Sequence, residues 1–147
     1  MNELRISLPI VPPTATAQQK GVFISGGKPR FFERKHVKNA RNDLMACLLP
    51  HRPQNPFSGA LQVSVEFHYP FRRAERKSII KRGMPIPHDR RPDLDNQLKL
   101  LLDCMTRLEF WRDDGQIAWL QARKLWSPRP RIEVFIFDMT TGANSHA

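Results

Sequence analysis

The sequence has few cysteines and lacks long apolar runs, the features that mark disulfide-rich and membrane-spanning proteins. It has two cysteines among 147 residues, Cys47 and Cys104, and both lie in apolar helical patterns. This scarcity excludes a disulfide-stapled scaffold and indicates a reducing compartment, so we expect a cytoplasmic protein without disulfides. No apolar run approaches the roughly 20 residues that a membrane-spanning helix needs, and no basic-then-apolar leader opens the chain. We therefore expect neither a transmembrane segment nor a secretion signal.

Acidic residues are also scarce. The chain has 14 Asp and Glu residues against 24 Lys and Arg residues, which gives a formal net charge of +10 at pH 7. Such an excess of positive charge predicts a polyanionic partner, with nucleic acid first and an acidic membrane surface second. Apolar residues make up 40% of the chain. This fraction is enough for a core and argues against a wholly disordered protein.

The hydrophobic pattern predicts one α+β domain with a mixed sheet and two main helices over residues 1–139, followed by a polar tail at 140–147. Strict alternation predicts a strand at 61–69, and an apolar stripe at helical spacing predicts a helix at 94–108. Residues 71–91 are basic and then rich in proline, and we interpret them as a mobile loop. The other predicted elements are strands at 4–8, 117–126 and 131–137, a glycine-turn hairpin around 22–32 and a helix at 33–49.

The few acidic residues are concentrated in one part of the chain. Seven of the 14 fall between positions 89 and 114, directly after a basic stretch. Because a surface that binds a polyanion should be basic, this concentration of carboxylates needs an explanation. One explanation is solvated helix caps and turns, and the other is a cation site. The seven are Asp89, Asp93, Asp95, Asp103, Glu109, Asp113 and Asp114.

Spacing places two of these acidic residues and one lysine on one side of the predicted helix. Asp95, Lys99 and Asp103 follow each other at i, i+4 and i+8 and form a ridge beside the apolar stripe. Carboxylates are the hard oxygen ligands that Mg²⁺ prefers, and a nearby lysine can stabilise charge on a phosphate. The structural alternative is that Asp93 caps the helix while Lys99 makes ordinary ion pairs along it. Spacing alone leaves both interpretations open.

A family resemblance adds to this pattern. The run RPDLDN at 91–96, Lys99, Asp103 and then FWRDDGQI at 110–117 closely resemble the RusA family of Holliday-junction resolvases, which is common in phages and prophages. The similarity is good over residues 91–136 and holds in outline elsewhere. It implies a RusA-like, homodimeric α+β endonuclease that depends on Mg²⁺, with Mn²⁺ able to substitute. It also implies paired symmetric nicks in four-way junction DNA, in the cytoplasm of a bacterial or phage-infected cell, with no membrane partner and no small-molecule cofactor.

The resemblance also implies roles for individual residues. Asp93 and Asp95 match metal-binding aspartates at the start of the helix, and Asp114 matches the metal-binding aspartate in the turn. Lys99 matches the catalytic lysine. Supporting positions around the metal ligands correspond to Asn96, Asp103 and Asp113.

Contacts to DNA are expected from the basic stretch before the acidic group. Two other functions stay open, a non-catalytic basic DNA-binding protein and a general metal-dependent nuclease of broader substrate range. Two further predictions concern aromatic residues: Trp111, Trp119 and Trp126 are packing residues, whereas Phe31 and Phe32 belong to the core or to a dimer contact. The candidate DNA contacts are Arg72, Arg73, Arg76, Lys77, Lys81, Arg82, Arg90 and Arg91.

Overall fold

A computed structural model of the protein describes residues 2–15, 20–72 and 86–140. Within these ranges the chain forms two α-helices, seven strands and two short 3-10 turns, at Leu49–His51 and Asp114–Gln116. None of the helices in the described ranges is long and apolar enough to cross a membrane. The main elements are β1 (Glu3–Leu8), β2 (Lys20–Ser25), β3 (Lys28–Glu33), α1 (Lys35–Leu48), β4 (Leu61–Tyr69), β5 (Ile86–Pro87), α2 (Leu94–Arg107), β6 (Ile117–Trp126) and β7 (Arg131–Asp138).

Five strands form a mixed sheet in the order β1-β7-β4-β6-β5. The central strand β4 pairs parallel with β6 and antiparallel with β7, while β1 pairs antiparallel with β7. The predicted alternation of β4 holds, since Leu61, Val63 and Phe67 are fully buried and the intervening Gln62 and Ser64 are partly exposed. Because alternate residues point to opposite faces, this pattern fixes which face of the sheet carries the core.

Both helices contribute their apolar stripes to the same core as the inner face of the sheet. Leu44 and Leu48 of α1 and Leu101 and Met105 of α2 belong to one buried cluster with the strand residues. The predicted α+β class, the mixed sheet and the two main helices are therefore confirmed. The second helix begins at Leu94 as predicted and ends one residue early, at Arg107.

Several predictions were wrong in detail. Trp119 does not pack, because it points to the outer face of β6 and is 51% exposed. Of the two alternatives for Phe31 and Phe32, the core is excluded, since they lie on the hairpin β2–β3 and are exposed, and the dimer contact stays a prediction. Part of the predicted loop at 71–91 is a strand, because β5 pairs with β6. Most of that predicted loop and of the predicted tail, namely residues 73–85 and 141–147, lies outside the described residues.

Candidate active site

The orientation of α2 determines where its polar residues point. Leu98, Leu101 and Met105 are buried against the sheet. The polar ridge therefore points outward, with Asp95 and Lys99 exposed and Asp103 partly exposed. A ridge held by a packed helix keeps its carboxylates at fixed spacing, which a loop would not do.

Asp93 occupies the N-cap position of α2 but does not cap it with its side chain. Its backbone carbonyl accepts from the Gln97 N–H at 3.0 Å, whereas its exposed carboxylate makes no capping hydrogen bond. The structural alternative for Lys99 is not seen either, because within the described residues its ammonium forms no ion pair with Asp95 or Asp103. The carboxylates at the start of α2 are thus exposed oxygen donors, which suits a hard divalent cation.

The turn after α2 is anchored by two side chains. The indole N–H of the fully buried Trp111 donates to Thr106 Oγ1 at 2.8 Å. Gln116 Nε2 donates to the carbonyls of Phe57 and Gly59, and its Oε1 accepts from the backbone N–H of Asp113 at 2.9 Å. Asp113 accepts from the Gly115 N–H in return, which completes a capping box. Gln116 therefore fixes the backbone that carries Asp113 and Asp114.

Electrostatic interactions connect this turn with the C-terminal part of the ridge. The Gly115 N–H and then Asp114 lower the pKa of Asp113. The hydrogen bond that Asp114 can donate to the Asp113 carboxylate raises the pKa of Asp114 above its ordinary value, and the charges of Asp113 and Asp103 add to this effect. Negative charge thus accumulates around Asp103, Asp113 and Asp114, an arrangement that favours a nearby cation.

The predicted metal ligands are not all brought together in one chain. Across the described ranges, no three His, Cys, Asp or Glu side chains are gathered to hold a metal ion. Asp95 and Asp103 are eight residues apart on α2, which corresponds to about 12 Å along the helix axis. Asp93 lies beside Lys124 near the end of β6, whereas Asp114 comes shortly before Ile117 at the start of that strand. Asp114 therefore lies toward the opposite end of the ridge from Asp93 and Asp95.

A basic pocket of about 500 Å³ adjoins the start of α2. Its lining includes Asp93 together with Arg90, Arg91 and Lys124. Lys124 lies on β6, and its Nζ donates to the carbonyls of Arg90 and Pro92. Lys124 was not among the predicted site residues. The feature that could have identified it is a lysine on the inward-facing side of a strand, since Lys124 pairs with the buried Phe67.

The segment before Asp93 is also held by His88, which was not among the predicted site residues either. Its ring stacks on Trp126 with 3.6 Å between centroids, and its Nδ1 accepts from the Arg90 N–H at 3.1 Å. Burial, and then the positive charges of Lys124 and Arg72, lower the pKa of His88 to about 4. The imidazole is therefore neutral near pH 7 and keeps the lone pair that accepts this bond.

The candidate DNA contacts divide into two groups. Arg90 and Arg91 are exposed beside the pocket, and Arg72 is exposed with its guanidinium 5.5 Å from the ring centroid of Trp126. These three surround the start of α2 with positive charge, as a site for a phosphate backbone requires. The other five, Arg73, Arg76, Lys77, Lys81 and Arg82, lie outside the described residues.

Comparison with known proteins agrees with the resemblance. Residues 11–137 match the protein family described as Endodeoxyribonuclease RusA. A protein of Lactococcus phage r1t named crossover junction endodeoxyribonuclease rusA is 36% identical over 126 residues, which cover 84% of this chain and 89% of the phage protein. YqaN of Bacillus subtilis (strain 168), an uncharacterized protein, is 26% identical over 133 residues, or 87% of this chain and 92% of that protein. The chain therefore belongs to the RusA family of endodeoxyribonucleases.

Proposed function

We propose that this protein is a crossover junction endodeoxyribonuclease that resolves four-way DNA junctions by paired, symmetric nicks. The observation that carries the proposal is the exposed Asp93 carboxylate beside a basic pocket, in a chain of this family. A non-catalytic DNA-binding protein would need the basic residues but would have no use for an Asp93 side chain that leaves its helix uncapped. Because its substrate would be bacterial or phage DNA, the enzyme would act in the cytoplasm of a bacterial or phage-infected cell.

The metal in this proposal is Mg²⁺, with Mn²⁺ able to substitute. Asp93 and Asp95 would hold it at the start of α2, and Asp114 would contribute from the turn. The exposed carboxylates fit a hard cation that keeps several waters and binds phosphate oxygens. When bound, such a cation supplies a Lewis acid and lowers the pKa of a water molecule.

The residues of the chain supply binding and charge stabilisation for the hydrolysis. Arg90 and Arg91 would bind the phosphate backbone beside the pocket and orient the scissile bond. A bond from a water oxygen to phosphorus forms as the bond from phosphorus to the 3′ oxygen breaks. The water gives up one proton and the departing 3′ oxygen takes up one, which leaves a 5′ phosphate and a 3′ hydroxyl. Lys99 would stabilise the extra negative charge on the phosphate during this displacement. Asn96, Asp103 and Asp113 would orient the metal ligands and their waters.

The test compares a synthetic four-way junction with a linear duplex of the same sequence. We expect symmetric nicks in the junction with Mg²⁺ or Mn²⁺ and none with EDTA, because the carboxylates need a cation to act on a phosphate. Gel shift in EDTA measures binding separately from cutting. Tight binding without cutting under either metal would instead identify a DNA-binding protein, and equal cutting of the duplex would identify a general nuclease.

The proposed assembly is a homodimer, since a four-way junction with near two-fold symmetry needs two equivalent active sites. The separation of Asp114 from Asp93 and Asp95 in one chain supports it, because Asp114 of a second copy can complete the site. An apolar surface is available on one face of the hairpin β2–β3. Val22, Ile24 and Phe31 share that face and are 59%, 81% and 72% exposed. Exposed apolar surface of this kind is typical of an interface.

Replacing Phe31 by glutamate should dissociate the dimer, because a carboxylate would have to be buried in the apolar contact. Sedimentation velocity should show a dimer for the unmodified protein and a monomer for F31E, with loss of junction cutting. The matched control is Trp119→Glu, which alters an exposed aromatic residue on β6 instead. Dissociation by W119E and not by F31E would place the interface on the outer face of the sheet, contrary to the proposal.

A further inference from the structure

We propose that Lys124 is a positioning residue, whose ammonium holds the backbone that presents Asp93. The inference rests on the proposed function of the site, and it concerns a residue on a different element from the acidic motif. Lys124 Nζ donates to two carbonyls, those of Arg90 and Pro92, which lie on either side of Arg91. Asp93 follows Pro92 directly, so the anchored carbonyl is the last one before the residue that bears the carboxylate.

The position of Lys124 on β6 makes this contact available. The residue pairs with Phe67 of β4 on the inward-facing side of the sheet, where Ala122 and Trp126 are its neighbours on β6. An unpaired lysine at such a position would be unfavourable. The two carbonyls accept hydrogen bonds from its ammonium. Burial lowers the pKa of Lys124, while the negative charges of Asp93 and Asp89 oppose this shift.

Other contacts hold the same segment from its N-terminal side. Ile86 and Pro87 pair with β6, and the His88 N–H donates to the Lys124 carbonyl at 2.9 Å. The main chain of Lys124 therefore holds His88, while its side chain holds Arg90 and Pro92. Without the ammonium, the segment would stay attached through His88, but Arg90 and Pro92 would lose their anchor to the sheet.

Loss of the Lys124 ammonium should weaken metal binding more than DNA binding. Groups that orient a metal ligand typically change metal affinity by about 10- to 100-fold when they are removed. Lys124 also adds positive charge to the pocket that would receive a phosphate. A charge-matched control is therefore needed to separate positioning from general attraction of DNA.

The experiment compares Lys124→Met with Lys124→Arg and with Lys38→Met, which removes one charge from an exposed position on α1. Isothermal titration with Mn²⁺ in the absence of DNA should show affinity weakened about 10- to 100-fold in K124M and unchanged in K38M. K124R, which can still donate to two carbonyls, should recover most of that affinity. Amide hydrogen exchange at residues 88–93 should be faster in K124M alone, and gel shift in EDTA should give similar junction affinity for K124M and K38M.

Unchanged Mn²⁺ affinity in K124M would overturn the proposal, and so would K124R that binds Mn²⁺ as weakly as K124M. If K124M does not fold, Lys124→Gln, which is polar but removes the ammonium and shortens the side chain by one bond, takes its place in the same comparison. The outcome is separable from that of the proposed function. An unmodified protein that binds Mn²⁺ but cuts no junction would refute the nuclease, while the Mn²⁺ affinities of the variants would still decide the role of Lys124.

Discussion

Replacing Asp93 or Asp95 by asparagine should abolish metal-dependent junction cutting. Both side chains are exposed at the start of a helix whose opposite face is packed, so either change removes a charge with little effect on the fold. Even the loss of a residue that only orients a metal ligand typically lowers metal affinity or activity by about 10- to 100-fold. We therefore expect the cutting rate to fall by at least about 100-fold in D93N and in D95N, with a double variant hardly worse than either, because ligands of one ion act as a unit.

The assay for these variants separates cutting from binding. Single-turnover cutting of a four-way junction in Mg²⁺ gives the rate, and gel shift in EDTA gives the affinity for the junction. Affinity should be kept or slightly improved, since each change removes negative charge from a surface that meets phosphates. Asp43→Asn, at an exposed position of α1, is the matched control. If D93N and D95N cut like D43N, these carboxylates are not metal ligands.

The sequence predicted the fold well where periodicity is strong. The alternation of 61–69 gave β4 with the observed bounds, and the leucine stripe gave α2 to within one residue, because both patterns mark a buried face directly. The two-residue strand β5 carries no such pattern. It exists because Ile86 pairs with Trp126 of β6, a tertiary contact that local sequence does not encode.

The same distinction applies to the candidate site. The outward ridge of Asp95, Lys99 and Asp103 followed from helical spacing alone. Gln116 could have been recognised from the D-x-x-Q spacing with Asp113, which is typical of a capping box. The contact between Lys124 and the Arg90 carbonyl joins residues 34 positions apart, so only the fold brings them together.

The position of Asp114 was the least predictable part of the site. The sequence permits the turn to fold toward either end of the ridge, and the contacts of Gln116 with Phe57 and Gly59 select one of them. The result places Asp114 within the electrostatic influence of Asp103. Residues from one motif are thus divided between the two ends of a helix, and in the proposed homodimer Asp114 would come from the second copy of the chain.

Lys99→Ala should lower the rate of junction cutting about 100- to 1,000-fold, the effect expected when one donor to a developing charge is removed. Because the ammonium of Lys99 makes no ion pair with Asp95 or Asp103 within the described part of the chain, the fold should lose less than about 0.5 kcal/mol of stability. Thermal melting checks the second expectation, and single-turnover cutting at saturating Mg²⁺ checks the first.

Two comparisons decide whether Lys99 acts on the reacting phosphate. Lys99→Arg keeps the charge and should restore part of the rate, although a planar guanidinium does not reproduce the position of an ammonium. Lys38→Ala removes a charge from α1 and should leave the saturated rate unchanged. If K99A instead weakens junction binding while the saturated rate stays normal, Lys99 anchors the DNA backbone and takes no part in stabilising the transition state. Weaker binding at an unchanged saturated rate means that Lys99 binds the ground state and the transition state equally. A loss confined to the saturated rate identifies an interaction made only as the phosphate gains charge.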